Sequence, residues 1–295
     1  MKITNACWMC APTRCISRLR KDMKTNAKTL VACALMVLLS ALCTAQNLPS
    51  SGGRPYDHFE GPFLDASKWL TTPTCSATPF VDTAASVNLL DCAREIQDDN
   101  LRLMVKAYGN TVSDAGRQFG PSELYFVNPN AVNSISTLFR VKRVDAVACP
   151  TNNMDSFGQM IFGGNYFNPG TGNSQDDVAA IIIVQHSAAS PSEQLGVYAL
   201  VFSPNAFYGF SVLGTANFGD LLAGTVQWDK ANHRFVFSVI GPQLNASSTI
   251  SYTASDTMSA AAPLKLLGAR AFVPNCTTTQ TSANIEILVK KVTIN

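Results

Sequence analysis

Two groups of aromatic residues beside turn-forming residues are the side chains of this sequence best suited to bind a ligand. They lie in Gly163–Gly170 and Asn205–Phe210. Aromatic rings stack on the apolar face of a sugar, while amides and carboxylates hydrogen-bond to its hydroxyl groups. The pattern predicts loops that bind carbohydrate or another extracellular ligand through Tyr166, Phe167, Asn168, Phe207 and Tyr208. The alternative is that these rings pack against the core or a sheet edge.

An acidic segment, Asn173–Asp177, offers oxygen atoms to a metal ion. Calcium takes six to eight oxygen ligands, and carboxylates are among those it prefers. The segment therefore permits a calcium site that includes Asp176 and Asp177. The alternative is a solvated loop at a strand edge. No other cofactor is expected.

Nucleophilic and metal-assisted catalysis lack their usual motifs in this sequence. His58, His186 and His233 are far apart, and neither a Gly-x-Ser-x-Gly nor a His-Glu-x-x-His pattern occurs. The glycines between positions 163 and 172 follow a predicted strand, but no helix opens after them as a phosphate-binding loop requires. A catalytic site would therefore need residues from separate strands.

The first part of the chain has the pattern of a secretory signal peptide. Residues 30–42 form an apolar run that follows two lysines and precedes small residues, which predicts cleavage after Ala45. A membrane span needs about 20 apolar residues, so no permanent span is expected. The pattern predicts a secreted or periplasmic protein whose translation starts at Met1 or Met23.

The remaining chain is organised as a polar linker over 46–55 and one domain over 56–295, after a leader and signal peptide over 1–45. The leader holds seven of the 22 basic residues and one of the 20 acidic residues, which leaves 15 basic against 19 acidic residues. The mature chain therefore carries a formal charge near −4 and no basic excess that would attract nucleic acid. The oligomeric state stays open.

Cysteine usage agrees with export. Five of the nine cysteines lie in the leader, and the other four are an even number in an exported chain, which indicates two disulfides. Four cysteines allow three pairings, and we favour Cys75–Cys92 and Cys149–Cys276. Zinc would need closely spaced ligand pairs, which these cysteines do not form.

Apolar residues alternate with polar ones through most of the mature chain, as in Leu101, Leu103 and Val105. This period of two predicts strands with one buried face. The predicted strands are 56–60, 92–97, 101–107, 122–127, 135–145, 157–164, 178–187, 195–203, 221–228, 233–240, 266–273 and 284–294. Turn residues at Asp98–Asn100 and Asp229–Asn232 predict hairpins, and a short helical turn is possible in Asp256–Leu267. Strands without intervening helices predict an all-β, two-sheet antiparallel sandwich.

Three segments carry a family resemblance. The chain opens with Tyr56–Gly61 and Leu64–Trp69, continues late with Thr225–Asp229 before Arg234–Phe237, and ends on the alternating strand Ala283–Ile294. Together they resemble the concanavalin A-like lectin/glucanase superfamily, in a secreted, bacterial-type form. The resemblance implies a jelly-roll sandwich. Trp69 and Trp228, each at a strand end, are expected to anchor the core.

Glucanases of that superfamily carry a Glu-x-Asp-x-x-Glu motif on one strand, and this sequence lacks it. The nearest pattern, Glu95-x-Gln97-x-Asp99, has an amide in the middle. Glu95 and Asp99 would lie about 13 Å apart along a strand, whereas a retaining pair needs about 5–5.5 Å. We therefore expect a non-catalytic binding domain. The alternatives are a glycoside hydrolase or polysaccharide lyase with a non-standard site, and a structural surface domain.

Overall fold

The computed structural model describes residues 53–70, 78–80 and 90–295, with residues 78–80 and 90 described by their backbone only. These residues form seventeen strands and three single-turn 3₁₀ helices. In chain order the strands are β1 (Arg54–Asp57), β2 (Trp69–Leu70), β3 (Thr78–Phe80), β4 (Leu90–Gln97), β5 (Asn100–Tyr108), β6 (Arg117–Phe126), β7 (Ser134–Val147), β8 (Phe157–Asn168), β9 (Val178–Ser187), β10 (Gln194–Ser203), β11 (Ala206–Asn217), β12 (Leu222–Asp229), β13 (Arg234–Ile240), β14 (Asn245–Ser251), β15 (Met258–Ser259), β16 (Lys265–Pro274) and β17 (Ser282–Ile294). The 3₁₀ turns are Pro129–Ala131, Ser174–Asp176 and Lys230–Asn232.

The strands form two sheets. Sheet A has the order β14-β13-β12-β7-β17-β5-β4, with β1 beside β17, and sheet B has the order β11-β10-β9-β8-β16-β6-β2, with β15 beside β8 and β3 beside β6. Every pairing is antiparallel. The chain passes repeatedly from one sheet to the other, as at β5, β6, β7 and β8. The predicted two-sheet antiparallel jelly-roll sandwich is therefore confirmed.

The core lies between the sheets and follows the alternation of the sequence. Leu101, Leu103 and Val105 of β5 are fully buried, while the residues between them are partly exposed. Trp69 is buried as predicted, and its indole N–H donates to the Asp57 carboxylate at 2.6 Å. Trp228 is partly buried and packs against the same core.

Both predicted hairpins are confirmed. Asp98 and Asp99 connect β4 to β5 with φ angles of 51° and 54°, the left-handed conformation that a two-residue turn requires. The β12–β13 hairpin contains the 3₁₀ turn Lys230–Asn232, and Asp229 pairs with Arg234 across its base.

Several strand predictions need correction. Strands β11 and β14 were not predicted, β6 begins at Arg117 instead of position 122, and the possible helical turn near Asp256 is absent from the described residues. Strand β8 continues four residues past the predicted end, through Asn168. The glycines at its middle mark close backbone approach, because a Cβ atom at Gly163 would lie 2.1 Å from the Ala180 carbonyl oxygen.

The Cys149–Cys276 disulfide is confirmed and connects the segment after β7 to the segment after β16. Cys75, the leader and the first seven linker residues lie outside the described residues. Strand β1 begins at Arg54, inside the predicted linker. Within the described part of the chain, no helix is both long and apolar enough to cross a membrane.

Candidate functional site

The first predicted aromatic group is buried. Tyr166, Phe167 and Asn168 lie on β8, and the ring of Phe167 stacks on that of Trp228 with centroids 5.5 Å apart. Their prediction as a loop is wrong, because β8 continues through the two glycines that resembled a turn. In this conformation the three side chains have almost no surface with which to contact a ligand.

The second predicted group lies on a sheet edge, not in a turn. Phe207 and Tyr208 belong to β11, which among the described strands pairs only with β10, at the edge of sheet B. Phe207 is 68% exposed, whereas Tyr208 packs partly against the core. Of the aromatic rings predicted to bind a ligand, Phe207 is therefore the one that is exposed enough to contact it.

The two predicted metal ligands have different surroundings. Asp177 is buried, and its carboxylate accepts hydrogen bonds from the backbone amides of Ala261 and Ala262, both at 2.7 Å, and from the Asn168 side chain at 2.8 Å. Asp176 is exposed and accepts hydrogen bonds from the side chains of Asn205 and Thr171, which lower its pKa. Asp177 therefore fastens the segment before β16 to β8. The calcium role stays a prediction.

Replacing Asp177 tests these two roles. We expect Asp177→Ala to lower the free energy of unfolding by about 3 kcal/mol, because a buried charged acceptor is lost together with its hydrogen bonds from the buried Asn168 side chain and from two backbone amides. Urea unfolding with and without calcium chloride measures this, with Asp176→Ala as the exposed control, which should change stability far less. An increase in stability with calcium that both variants lose would instead show that the carboxylates bind the ion.

The outer face of sheet B contains a groove of about 530 Å³, which we call the sheet B groove. Its floor is apolar because alternate residues of neighbouring strands point away from the core: Ile161 lies opposite Ile183, and Ile181 lies opposite Leu200. The full lining is Gln159, Ile161, Ile181, Ile183, Leu200, Phe202, the segment Ser203–Phe207 and Arg270. Phe207 thus contributes an exposed ring to a surface that also carries amide and guanidinium groups.

A polar cluster around the buried Glu123 side chain adjoins the groove. The Arg270 Nε atom donates to one oxygen of the Glu123 carboxylate, and the Tyr125 hydroxyl donates to the other. Burial, and then the charge of Glu123, raises the pKa of Tyr125 far above its ordinary value, so its hydroxyl remains protonated. Arg94 donates to the main-chain oxygen of Glu123 at 3.1 Å. Glu123 therefore orients the Arg270 guanidinium.

Sequence reasoning missed this cluster. Residues 122–127 were predicted as a strand, and the two-residue spacing of Glu123 and Tyr125 places both on one face. That spacing indicates that the two side chains are neighbours, but it does not indicate whether their face of the strand points to the core or to solvent. Arg270 follows 147 positions after Glu123, so only the β6–β16 pairing brings the two together.

The residues of the pattern that most resembled a glucanase motif lie elsewhere. Glu95 is on β4 of sheet A, where it forms an ion pair with Arg102 at 2.8 Å, and Asp99 is in the β4–β5 turn. His186 and His233 contact the Gln194 carbonyl oxygen and the Asp256 carboxylate, respectively. None of these residues lines the sheet B groove.

No family model and no curated protein matches the sequence. Solved structures that are similar to this chain include a bacterial protein and two plant lectins. A protein of Mycobacterium abscessus named as a candidate beta-glucanase is 13% identical, with 81% of this chain and 98% of that chain covered and a TM-score of 0.44. Lectin II of Ulex europaeus is 10% identical over 74% of this chain and 98% of that chain, with a TM-score of 0.29. Peanut lectin is 13% identical over 74% of this chain and 99% of that chain, with a TM-score of 0.30.

The chain has a two-sheet jelly-roll fold. This is the fold that the resemblance to the concanavalin A-like superfamily implied, and it rests on the strand pairings of the chain itself. The function must be argued from the side chains of the groove.

Proposed function

We propose that the mature chain is a secreted, non-catalytic binding domain that holds carbohydrate in the sheet B groove. The observation that carries this proposal is the composition of the groove: an apolar floor, the exposed Phe207 ring, and the polar groups of Gln159, Asn205 and Arg270. A sugar has apolar C–H faces and hydroxyl edges, so it fits a surface of this mixed kind. Secretion is proposed from the apolar run over residues 30–42.

The residues that line the sheet B groove also favour binding of a polysaccharide over its hydrolysis. Glycosidases flank the scissile bond with two carboxyl groups, about 5–5.5 Å apart in retaining enzymes and about 6.5–9.5 Å apart in inverting ones. Among the described residues, those that line the groove include no carboxylate. Both oxygens of the neighbouring Glu123 carboxylate accept hydrogen bonds from Arg270 and Tyr125. We therefore propose that a bound polysaccharide is retained and not cleaved.

Removing the exposed ring should weaken binding. We expect Phe207→Ala to reduce affinity for a retained polysaccharide about fivefold to tenfold, because a stacked aromatic ring contributes on the order of 1 kcal/mol. Retention in gels that contain one polysaccharide each measures the affinity. Phe63→Ala is the matched control, since this ring is 85% exposed and lies in the segment between β1 and β2.

The same samples separate the alternatives. Retention without release of reducing ends, weakened by Phe207→Ala and unchanged by Phe63→Ala, is the expected result. Release of reducing ends or of unsaturated uronate ends would replace the proposal with the hydrolase or the lyase. Absence of retention across the panel would favour a structural domain.

A further inference from the structure

Gln159 is a polar side chain set into an apolar surface. It is only 6% exposed, it lines the sheet B groove, and its amide has no hydrogen-bond partner among the described residues. Because this amide opens onto the groove, it can hydrogen-bond to polar atoms that a ligand supplies there. The position of Gln159 therefore indicates a polar part of the ligand at this end of the groove.

Arg270 lies directly opposite Gln159 across the β8–β16 pair. Its Nε atom is held by Glu123, and its guanidinium lies 5.7 Å from the centre of the Phe119 ring. The two terminal nitrogens have no partner within the described residues, and the side chain reaches the groove. A guanidinium fixed in this way presents two parallel N–H donors, the geometry that matches the two oxygens of a carboxylate.

Glu123 holds the Arg270 guanidinium beside the groove within a set of polar contacts. Among the described residues, two guanidinium groups contact Glu123, Arg270 through the carboxylate and Arg94 through the main-chain oxygen. Tyr125 adds a hydroxyl that stays neutral. Arg270 therefore presents a fixed positive charge to the groove, which favours an anion, although the mature chain as a whole is acidic.

We infer that the sheet B groove selects acidic sugars, and that a uronic acid carboxylate accepts hydrogen bonds from both Arg270 and Gln159. This inference rests on the proposed function and names its ligand class. Ile161, two residues along β8 on the same face, and its cross-strand neighbour Ile183 contact the C–H face of the same sugar. Arg270 and Gln159 are thus specificity-determining residues.

Polyuronates and their methyl esters test the inference, because esterification removes the charge and keeps the sugar. We expect the purified protein to bind polygalacturonate or alginate at least tenfold more tightly than the corresponding methyl ester. Gln159→Leu should remove most of this difference without lowering the melting temperature, because the free protein loses no hydrogen bond. Arg270→Lys should also remove it, while a positive charge remains beside Glu123.

Lys142→Gln is the control for unspecific attraction of polyanions, because Lys142 is exposed on β7 of sheet A. It should leave polyuronate binding unchanged. Equal binding of acid and ester, unchanged binding by both groove variants, or an equal loss in Lys142→Gln would overturn acid selection and leave carbohydrate binding intact. Absence of binding to acidic and neutral polysaccharides alike would overturn both proposals.

Discussion

Replacing Cys149 and Cys276 together by alanine is expected to lower the free energy of unfolding by about 4–5 kcal/mol. The disulfide joins residues 127 positions apart, and in the chain-entropy model a loop of about 100 residues contributes about 4.7 kcal/mol. Both cysteines are buried, and the bond ties the end of a sheet A strand to the end of a sheet B strand. Its loss should therefore act on the whole sandwich.

Urea unfolding and calorimetry measure the effect of the double variant. For a domain of this size each kcal/mol lowers the melting temperature by about 2–4 °C, so a decrease of roughly 8–20 °C is expected. The strand-rich circular dichroism at room temperature should not change. A loss below about 1 kcal/mol would contradict a stabilising role. A further decrease on adding reductant to the double variant would support the predicted Cys75–Cys92 pair.

The strands that the sequence predicted correctly are those whose pattern is dictated by one buried face. In β5 and β13 every second residue is apolar and buried, so burial alone produces the period of two. The β4–β5 turn was predictable for a different reason, since Asp98 and Asp99 tolerate the left-handed conformation that they adopt.

Strands β11 and β14, which the sequence did not predict, lack this alternation of buried apolar residues. Strand β14 carries mostly serine, threonine and asparagine because it lies at the edge of sheet A and buries only Ile250. Strand β11 exposes large apolar residues at the edge of sheet B, which is the reverse of the expected pattern. Propensity and periodicity do not identify edge strands, because tertiary pairing, not burial, keeps them extended.

The groove was beyond sequence reasoning for a related reason. Gln159, Glu123 and Arg270 belong to β8, β6 and β16, and their proximity follows from sheet order, which no local pattern encodes. The run over 178–184 is apolar on both sides, which fits a central strand covered on both faces or a strand whose outer face is hidden by loops. Its outward side chains contribute to the groove floor, where Ile181 is buried and Ile183 is partly exposed. The apolar outer face of this run therefore belongs to the groove, but the sequence pattern alone does not distinguish a ligand-binding face from a covered one.

The stability of the protein is expected to rise with pH above neutrality because of Lys265. This side chain is 2% exposed, and its amino group donates to the carbonyl oxygens of Pro129 at 2.8 Å and Asn165 at 3.0 Å. It lies 4.3 Å from the centre of the Tyr166 ring, and it has no carboxylate partner among the described residues. Burial lowers the pKa of Lys265 from 10.5 to about 7.

The direction of this pH dependence follows from which state of the protein, folded or unfolded, binds the proton. Between the folded-state pKa near 7 and the unfolded-state pKa near 10.5, the unfolded chain holds a proton on Lys265 that the folded chain has released. Stability therefore rises with pH, by up to about 1.4 kcal/mol per pH unit, and falls as the pH decreases towards 7. Lys265→Met keeps the length of the side chain and removes the titrating group, so its stability should lack this rise.

Urea unfolding of both proteins at several pH values between 7.5 and 9.5 measures the difference, which should grow by about 2–3 kcal/mol over that range. Comparing the slopes of unfolding free energy against pH for the two proteins removes the contribution of groups that titrate in both. It also removes the constant cost of leaving the Pro129 and Asn165 carbonyl oxygens without a donor in the variant. Parallel stability curves would mean that the buried amine stays charged in the folded state, held by the two carbonyl oxygens and the Tyr166 ring.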